Sequence, residues 1–231
     1  HFMHGSTVHG AQLIKPTVDT RVTSYYVPLL DVLRLYNPHD VGVVGLGAGI
    51  LLCATAPERR FTMYEIDPLV KDVAEEWFTF IKDCGQPDWR IGDGRLELLR
   101  DKDKRFDMLI VDAFSADSIP IHLLTREALG LYHQRVTDDA IILFNVSNRY
   151  YDVRPPLATL ARDAGRQAWT LTDYEWNEST GKRPSQWVLL APLGKDMEPL
   201  RQFRWRPLLD SGFPLWRDDF TNELLALRFF Q

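Results

Sequence analysis

The sequence is poor in cysteine and has no long hydrophobic run of the kind that spans a membrane. Its two cysteines, Cys53 and Cys84, are too few for a disulfide framework, and Cys53 falls in an apolar helical pattern typical of a small core residue. A reducing compartment is therefore expected. Residues 41–57 carry no charge, but this segment is short, rich in glycine and ends at a proline, which favours a strand and a helix over a membrane span.

Positive charge is not in excess either. The net charge is −5 at pH 7, from 27 Lys and Arg against 32 Asp and Glu, so nucleic acid is not expected as a partner. The N-terminus has no basic segment followed by an apolar core, and a secretory signal is not predicted. Because the chain begins with His1 and not methionine, we expect a domain taken from a longer protein, beside which a membrane segment could lie.

Strand and helix patterns alternate from residue 41 onward. This alternation predicts an α/β fold with a Rossmann-like, doubly wound parallel sheet and an antiparallel edge strand. The predicted strands are 41–46, 61–66, 89–91, 106–111, 140–146, 167–172 and 186–191, and the predicted helices are 48–56, 68–81, 125–136 and 155–164. We divide the chain into an N-terminal cover or lid (1–40), a nucleotide-binding catalytic domain (41–193) and a packed C-terminal tail (194–231).

A glycine-rich turn follows the first predicted strand. Gly45, Gly47 and Gly49 follow an apolar run, and Glu65 comes twenty residues after Gly45, at the tip of the next predicted strand. Glycine allows a ligand to approach the backbone closely, and an acidic residue at this position is typical of a ribose-binding site. The alternative for the turn alone is a tight connection in an α/β protein that binds no nucleotide.

The residues near the turn favour an uncharged adenosine over a pyrophosphate. Ile50 stands where the dinucleotide fingerprint has its last glycine, and no basic residue adjoins the turn. Asp93, within the triplet Gly92-Asp93-Gly94, follows the third predicted strand and suits an acceptor for the amino group of adenine.

Another carboxylate follows the central strand. Asp112 is expected beside the reactive end of the cofactor, where it could orient an amine or accept its proton. The alternative is that Asp112 only caps the following turn through its side chain, and the same alternative applies to Asp117.

Together these motifs resemble the spermidine synthase family, and more narrowly the branch of it that is often fused behind membrane-spanning segments. The resemblance extends from His4 to about Gly165. The stretches that carry it are HGSTVHGAQ, VGLGAG, YEIDP, GDGR, VDAFSADSIPIHLLTREA and NVSNRY.

The resemblance implies a fold of the S-adenosylmethionine-dependent methyltransferase type. It also implies transfer of an aminopropyl group from decarboxylated S-adenosylmethionine to a small amine, with release of methylthioadenosine. Glu65 would hold the ribose, Asp93 would read adenine, and Asp112 would hold and deprotonate the amine. A homodimer and a cytoplasmic location, with a tether to the inner membrane in the full-length protein, fit the same resemblance.

Several other residues are candidates for the site. Gln12 and Gly94 are expected at the nucleotide, and His9, Tyr25 and Tyr26 of the lid are expected to line an amine pocket through hydrogen bonds and cation–π contacts. The alternative for the lid residues is a surface hairpin with ordinary core tyrosines.

Two further expectations concern residues beyond the lid. Asn145 is expected at the mouth of the site, with turn formation as its alternative, and His122 is expected to pack below the site. A zinc site at His4 and His9 is not predicted, because no third ligand stands at metal spacing.

Two departures from the family pattern keep the substrates open. Ala48 stands where the family usually has an aspartate for the amino end of the nucleotide, and Ser115 replaces an aspartate that helps to hold the diamine. Asp117 could compensate from a shifted position. The co-substrate is therefore decarboxylated or intact S-adenosylmethionine. The alternative functions are an enzyme that uses the intact compound for methyl transfer or internal displacement, and a non-catalytic nucleotide-sensing domain.

Overall fold

The protein is built on one eight-stranded sheet. The computed structural model describes residues 2–4, 7–12, 25–56, 58–113 and 119–228, and of residues 4 and 7–9 it describes the backbone alone. The strand order is β10-β8-β9-β7-β6-β3-β4-β5, and β1 and β2 form a separate hairpin. The strands are β1 (Phe2–His4), β2 (Thr7–Gly10), β3 (Asp40–Val44), β4 (Arg60–Glu65), β5 (Asp88–Ile91), β6 (Phe106–Val111), β7 (Val136–Asn145), β8 (Arg166–Asp173), β9 (Ser185–Pro192) and β10 (Arg206–Pro207).

The centre of the sheet is parallel, and its far side is antiparallel. Strands β7, β6, β3, β4 and β5 run parallel, whereas β9 runs antiparallel to both of its neighbours, β7 and β8. The predicted Rossmann-like doubly wound sheet is confirmed. The long antiparallel strand lies inside the sheet, and the antiparallel edge is the two-residue β10. Buried clusters cover both faces of the sheet, which explains why β6 is apolar throughout.

Six α-helices lie among the described residues: α1 (Val27–Tyr36), α2 (Pro68–Trp77), α3 (Phe80–Cys84), α4 (Gly94–Arg100), α5 (Arg126–Arg135) and α6 (Arg154–Asp163). Three of them begin at a side-chain cap. The carboxylates of Asp67 and Asp93 and the hydroxyl of Thr125 each accept a hydrogen bond from a backbone N–H of the first turn. Such caps satisfy N–H groups that have no partner within the helix.

The predicted helices need three corrections. The predicted helix 68–81 is two helices, because the chain is extended at Phe78, where Phe78 and Phe80 stack on each other in the core. The predicted helix 48–56 is only a short 3₁₀ helix, Ile50–Cys53. Helices α1 and α4 were not predicted.

Cys53 and Cys84 are joined in a disulfide that connects the 3₁₀ helix after the glycine turn to the end of α3. The prediction of Cys53 as a simple core residue is therefore wrong. The expected reducing compartment loses the support it drew from that prediction, since disulfides persist mainly in oxidising compartments. None of the described helices is long and apolar enough to cross a membrane.

Candidate active site

The candidate site is a cavity of about 210 Å³ at the carboxyl edge of the parallel strands. The chain segments that leave β3, β4, β5 and β6 all contribute to it, as expected for a doubly wound sheet. The described lining residues are Tyr25, Val44, Gly45, Leu46, Gly47, Tyr64, Glu65, Ile66, Val70, Asp93, Gly94, Asp112, Ala113, Pro120, His122 and Leu123.

The glycine turn is pressed against the backbone of Asp112. Gly45 has a φ of +99°, and a Cβ atom there would lie 2.4 Å from the carbonyl oxygen of Asp112. The N–H of Asp112 donates to the carbonyl of Val44 at 2.8 Å. Gly45 is therefore required by conformation and by space, and it brings the turn and Asp112 to the same cavity.

Glu65 lies at the end of β4 with 6% of its surface exposed. Its carboxylate accepts hydrogen bonds from the N–H of Leu46 and from the N–H of Asp67, both at 2.9 Å. Burial raises the pKa of Glu65, and the backbone donors act in the opposite direction. The N–H of Ile66 is a third backbone donor to this carboxylate. The donors hold the carboxylate at the wall, and it keeps acceptor capacity for a further donor such as a hydroxyl.

Asp93 lies between β5 and α4, and its carboxylate has two partners. One oxygen accepts from the N–H of Leu96 at 3.0 Å and caps α4. The other lies 3.0 Å from Nε2 of His122, which belongs to a 3₁₀ helix, Ile121–Leu123. His122 lines the cavity, so the prediction that it packs below the site is wrong.

Asp112 follows β6 and is partly buried at the wall of the cavity. Its carboxylate accepts a hydrogen bond from the hydroxyl of Tyr26 at 2.6 Å and another from Nδ2 of Asn145 at 2.7 Å. Burial raises the pKa of Asp112 to about 7, against the lowering effect of these two hydrogen bonds, while the charge of Glu65 adds to the increase. A carboxyl group with this pKa can take and release a proton near neutral pH.

Tyr26 contacts Asp112 directly, and Tyr25 is linked to Asp112 through Tyr26. The hydroxyl of Tyr26 is committed to Asp112, and the hydroxyl of Tyr25 donates to that of Tyr26 at 3.3 Å. Burial and the charge of Asp112 raise the pKa of both phenols. Tyr25 also lines the cavity. Two neutral hydroxyl groups therefore lie in a chain beside Asp112, which itself lines the cavity.

Asn145 is buried next to Asp112 and is not among the described lining residues of the cavity. Its amide nitrogen donates to Asp112, and its amide oxygen accepts from the N–H of Ser147 at 3.0 Å. The turn at the end of β7 therefore fixes the orientation of the amide that faces Asp112.

Gln12 is engaged outside the cavity. Its amide group donates to the hydroxyl of Thr79 at 2.8 Å and accepts from the N–H of Thr79 at 3.0 Å, and it is not among the described lining residues. These bonds attach the segment after β2 to the start of α3. The structure does not bring Gln12 together with the other candidate residues.

Ala48 is fully buried against Gly10. A Cβ atom on Gly10 would lie 2.5 Å from the Cβ atom of Ala48, so a longer side chain at Ala48 has no room on that side. The side chain of His9, and Ser115 and Asp117 entirely, lie outside the described residues.

The charge of the cavity wall is negative. Glu65, Asp93 and Asp112 all line it, and no lysine or arginine occurs among the described lining residues. No group of three or more described His, Cys, Asp or Glu side chains is arranged to hold a metal ion.

Sequence reasoning missed Arg95 and Asp218. The guanidinium of Arg95 donates to both carboxylate oxygens of Asp218, at 2.8 and 2.6 Å, and to the carbonyl oxygen of His122 at 2.8 Å. The GDGR motif contains Arg95, but no sequence pattern links it to an aspartate 123 positions away.

No protein-family model matches the chain. Among curated proteins, it is 32% identical over 147 residues to a polyamine aminopropyltransferase of Vibrio vulnificus, covering 58% of this chain and 48% of the relative. It is 28% identical over 137 residues to the polyamine aminopropyltransferase of Clostridium beijerinckii, covering 55% and 48%. The chain thus spans about half the length of these relatives. The resemblance to the spermidine synthase family is confirmed.

Solved structures share the fold. A probable spermidine synthase from Corynebacterium glutamicum superposes with a TM-score of 0.66 at 14% identity, covering 89% of this chain and 85% of that one. A spermidine synthase in complex with the transition-state analogue AdoDATO gives a TM-score of 0.54 at 14% identity, covering 89% and 71%. Human methyltransferase-like protein 13 in complex with SAH gives 0.54 at 18% identity, covering 79% and 83%. The predicted methyltransferase-type fold is confirmed.

Proposed function

We propose that the chain is a polyamine aminopropyltransferase, which moves an aminopropyl group from decarboxylated S-adenosylmethionine to a small amine and releases methylthioadenosine. The observation that carries this proposal is the partly buried carboxylate of Asp112, held between Tyr26 and Asn145. It faces the same cavity as Glu65 and Asp93. The curated relatives that are named polyamine aminopropyltransferases support the reaction class.

The cavity has the groups that an adenosyl compound needs. Glu65 is held by backbone N–H groups with lone pairs left for a ribose diol, and Asp93 can accept from an exocyclic amino group. Gly45 and Gly47 remove side chains from the cavity wall. Solved structures with the same fold are complexes with AdoDATO or SAH, which supports a donor of the S-adenosylmethionine type.

Asp112 supplies the base. Asp112, whose pKa of about 7 lets it accept a proton at neutral pH, takes a proton from the bound ammonium group of the acceptor. The nitrogen lone pair freed in this way forms a bond to the carbon beside the sulfonium, the carbon–sulfur bond breaks, and sulfur takes that electron pair as a neutral thioether. The extended amine leaves as a secondary ammonium, and Asp112 returns its proton to solvent. Tyr26 and Asn145 hold the carboxylate in one orientation, so that it can align the amine.

The charge of the wall favours the decarboxylated donor. Intact S-adenosylmethionine carries a carboxylate, and burying it beside Glu65 and Asp112 without a cation would be costly. The described lining residues provide no such cation. An ammonium group on the decarboxylated arm meets only negative and neutral groups there.

The negative charge of the cavity wall also indicates the chemical class of the acceptor. A protonated amine is attracted to Asp112, and Tyr25 presents an aromatic ring at the cavity wall. Because Ser115 stands where the family pattern has an aspartate that helps to hold the diamine, recognition of a second ammonium group of the acceptor rests on other residues. We therefore include monoamines with diamines as candidate acceptors. The cytoplasmic location, the membrane tether and the homodimer remain predictions.

Product analysis tests this function. The protein is incubated with decarboxylated S-adenosylmethionine and a panel of amines, and methylthioadenosine and the extended amine are measured by mass spectrometry. We expect equimolar methylthioadenosine and aminopropylated amine, formed only when an acceptor is present. S-adenosylhomocysteine from the intact compound would instead indicate methyl transfer. Methylthioadenosine without any acceptor would indicate internal displacement, and binding without turnover of either donor would indicate a sensing domain.

A further inference from the structure

The wall of the cavity beside Asp93 contains a histidine with no role in the reaction described above. His122 and Asp93 are 29 residues apart in the chain, and Nε2 of the imidazole lies 3.0 Å from the free carboxylate oxygen of Asp93. Both residues line the cavity. The side chain of His122 is 50% exposed and that of Asp93 is 25% exposed, so this pair faces the space that a ligand would enter.

The contact defines which nitrogen of the histidine carries a proton. A carboxylate only accepts hydrogen bonds, so Nε2 of His122 is the donor. In the neutral imidazole, Nδ1 is then an acceptor. Because the two nitrogens of an imidazole point in diverging directions, Nδ1 faces away from Asp93. The acceptor that the pair presents to a base is therefore the remaining lone pair on the carboxylate of Asp93.

The backbone of His122 is fixed independently of this contact. Arg95 donates to the carbonyl oxygen of His122 at 2.8 Å, and it is itself held by both oxygens of Asp218. Asp218 also accepts from the hydroxyl of Thr125 at 2.7 Å. Since Asp93 is fixed by the N–H of Leu96 on its other oxygen, both ends of the pair are anchored.

We propose that His122 is a positioning residue that locks the carboxylate of Asp93 for recognition of a 6-aminopurine and makes the site reject a 6-oxopurine. This inference rests on the proposed function, because it assumes that a purine nucleoside occupies the cavity. An exocyclic amino group can donate a hydrogen bond to the remaining lone pair of the carboxylate that His122 holds in place. A 6-oxo group would place an acceptor against this carboxylate, which leaves both without a donor.

Nucleoside selectivity tests the proposal without any turnover. Isothermal titration calorimetry measures the Kd of methylthioadenosine and of methylthioinosine for the wild type, His122→Leu and His122→Gln. We expect His122→Leu to weaken methylthioadenosine binding about tenfold and methylthioinosine binding far less, so that the ratio of the two Kd values collapses. The amide nitrogen of Gln can replace Nε2 as the donor, and His122→Gln should restore most of the ratio.

The controls separate a local effect from a general one. His39 is exposed and precedes β3 at the opposite edge of the sheet, and His39→Leu should leave both Kd values unchanged. Combining His122→Leu with Asp93→Asn should cost less selectivity than the sum of the two single changes, since both break the same pair.

The outcomes also separate this inference from the function on which it rests. A wild-type protein that binds methylthioadenosine, with a Kd ratio that His122→Leu leaves intact, would overturn the role of His122 and leave the aminopropyltransferase proposal standing. A wild-type protein that binds neither nucleoside would overturn both.

Discussion

Asp112 shows how one residue can be positioned by its neighbours and still be kept reactive. Tyr26 and Asn145 donate to its two oxygens, and these hydrogen bonds alone would lower the pKa of the carboxyl group. Burial outweighs them and raises the pKa to about 7. The result is a carboxylate that is held in place and is basic enough to accept a proton near neutral pH.

The first prediction at this scale concerns the rate. Asp112 must be ionised to accept a proton, so kcat/KM should rise tenfold per pH unit below a step near pH 7 and level off above it. A free amine titrates much higher, near pH 10, and gives a separate step. A pH profile from 5 to 9 with a fixed acceptor measures this, and a flat profile between pH 5 and 7 would exclude Asp112 as the base.

The second prediction concerns stability. The pKa of Asp112 is higher in the folded protein, about 7, than the usual value of about 3.9. The free energy of unfolding of the wild type therefore carries no cost from this carboxyl group below about pH 4, where it is protonated in both states. The free energy of unfolding falls as the pH rises from about 4 to 7. Asp112→Asn removes the buried charge, so it should unfold at a higher urea concentration at pH 8, with a gain of roughly 2–4 kcal/mol in the free energy of unfolding.

The gain should shrink as the pH falls toward 5, because the wild-type carboxyl group is then neutral. Asp103→Asn, in an exposed loop, is the matched control and should change stability little at either pH. If Asp112→Asn destabilises the protein equally at pH 5 and pH 8, burial is not what raises this pKa.

At the scale of elements, the sequence predicts strands better than short helices. The predicted strand 106–111 coincides with β6 (Phe106–Val111), since an apolar run buried on both faces has few other interpretations. Helix α4 was missed because it has only seven residues, and its Leu96 and Leu99 are about half exposed, which leaves no clear apolar face.

The site residues that were predicted correctly follow recognisable strands, whereas those that were misplaced depend on partners far away in the sequence. Gly45, Glu65, Asp93 and Asp112 were predicted because each follows a recognisable strand, and all four line the cavity. His122 was placed wrongly because its partner is 29 residues away, and no local pattern reveals which way its ring points. Gln12 was predicted at the nucleotide from the resemblance alone, and its described contacts are with Thr79.

The disulfide between the 3₁₀ helix and α3 leads to a prediction about stability. Cys53 and Cys84 are separated by 31 positions, and closing such a loop restricts the unfolded chain by about 3–4 kcal/mol in the chain-entropy model. Reduction with dithiothreitol should lower the free energy of unfolding by about this amount, as measured in urea. Cys53→Ser combined with Cys84→Ser should reproduce the loss and respond no further to reductant. Two titratable thiols in the native, unreduced protein would contradict the disulfide.

At the scale of the whole molecule, the C-terminal tail returns to the site that the N-terminal half builds. Trp205 and Trp216 of the tail are fully buried, and Asp218 holds Arg95, which in turn supports His122. The match covers 48% of the length of each of these curated relatives, and the motifs that carry the resemblance end before about Gly165. The adenine side of the cavity therefore depends on a part of the chain that the family motifs do not include.

The tail contact should be measurable in nucleoside binding. Asp218→Asn removes the charge that holds Arg95, so the Kd of methylthioadenosine should rise about three- to tenfold, in keeping with the loss of a partly exposed charged hydrogen bond. Glu198→Gln breaks a surface ion pair of the same tail, with Arg201, and should leave the Kd unchanged. Equal effects of the two variants would mean that Asp218 acts only on general stability.

The central claim is that Asp112 acts on the amine and not on the nucleoside. The most direct test compares Asp112→Asn with the wild type in two measurements on the same preparation, kcat with decarboxylated S-adenosylmethionine and an accepted amine, and the Kd of methylthioadenosine. The account predicts that kcat falls by at least about a hundredfold while the Kd changes by less than about threefold. A full kcat in Asp112→Asn, or a Kd that rises in parallel with the loss of kcat, would contradict it.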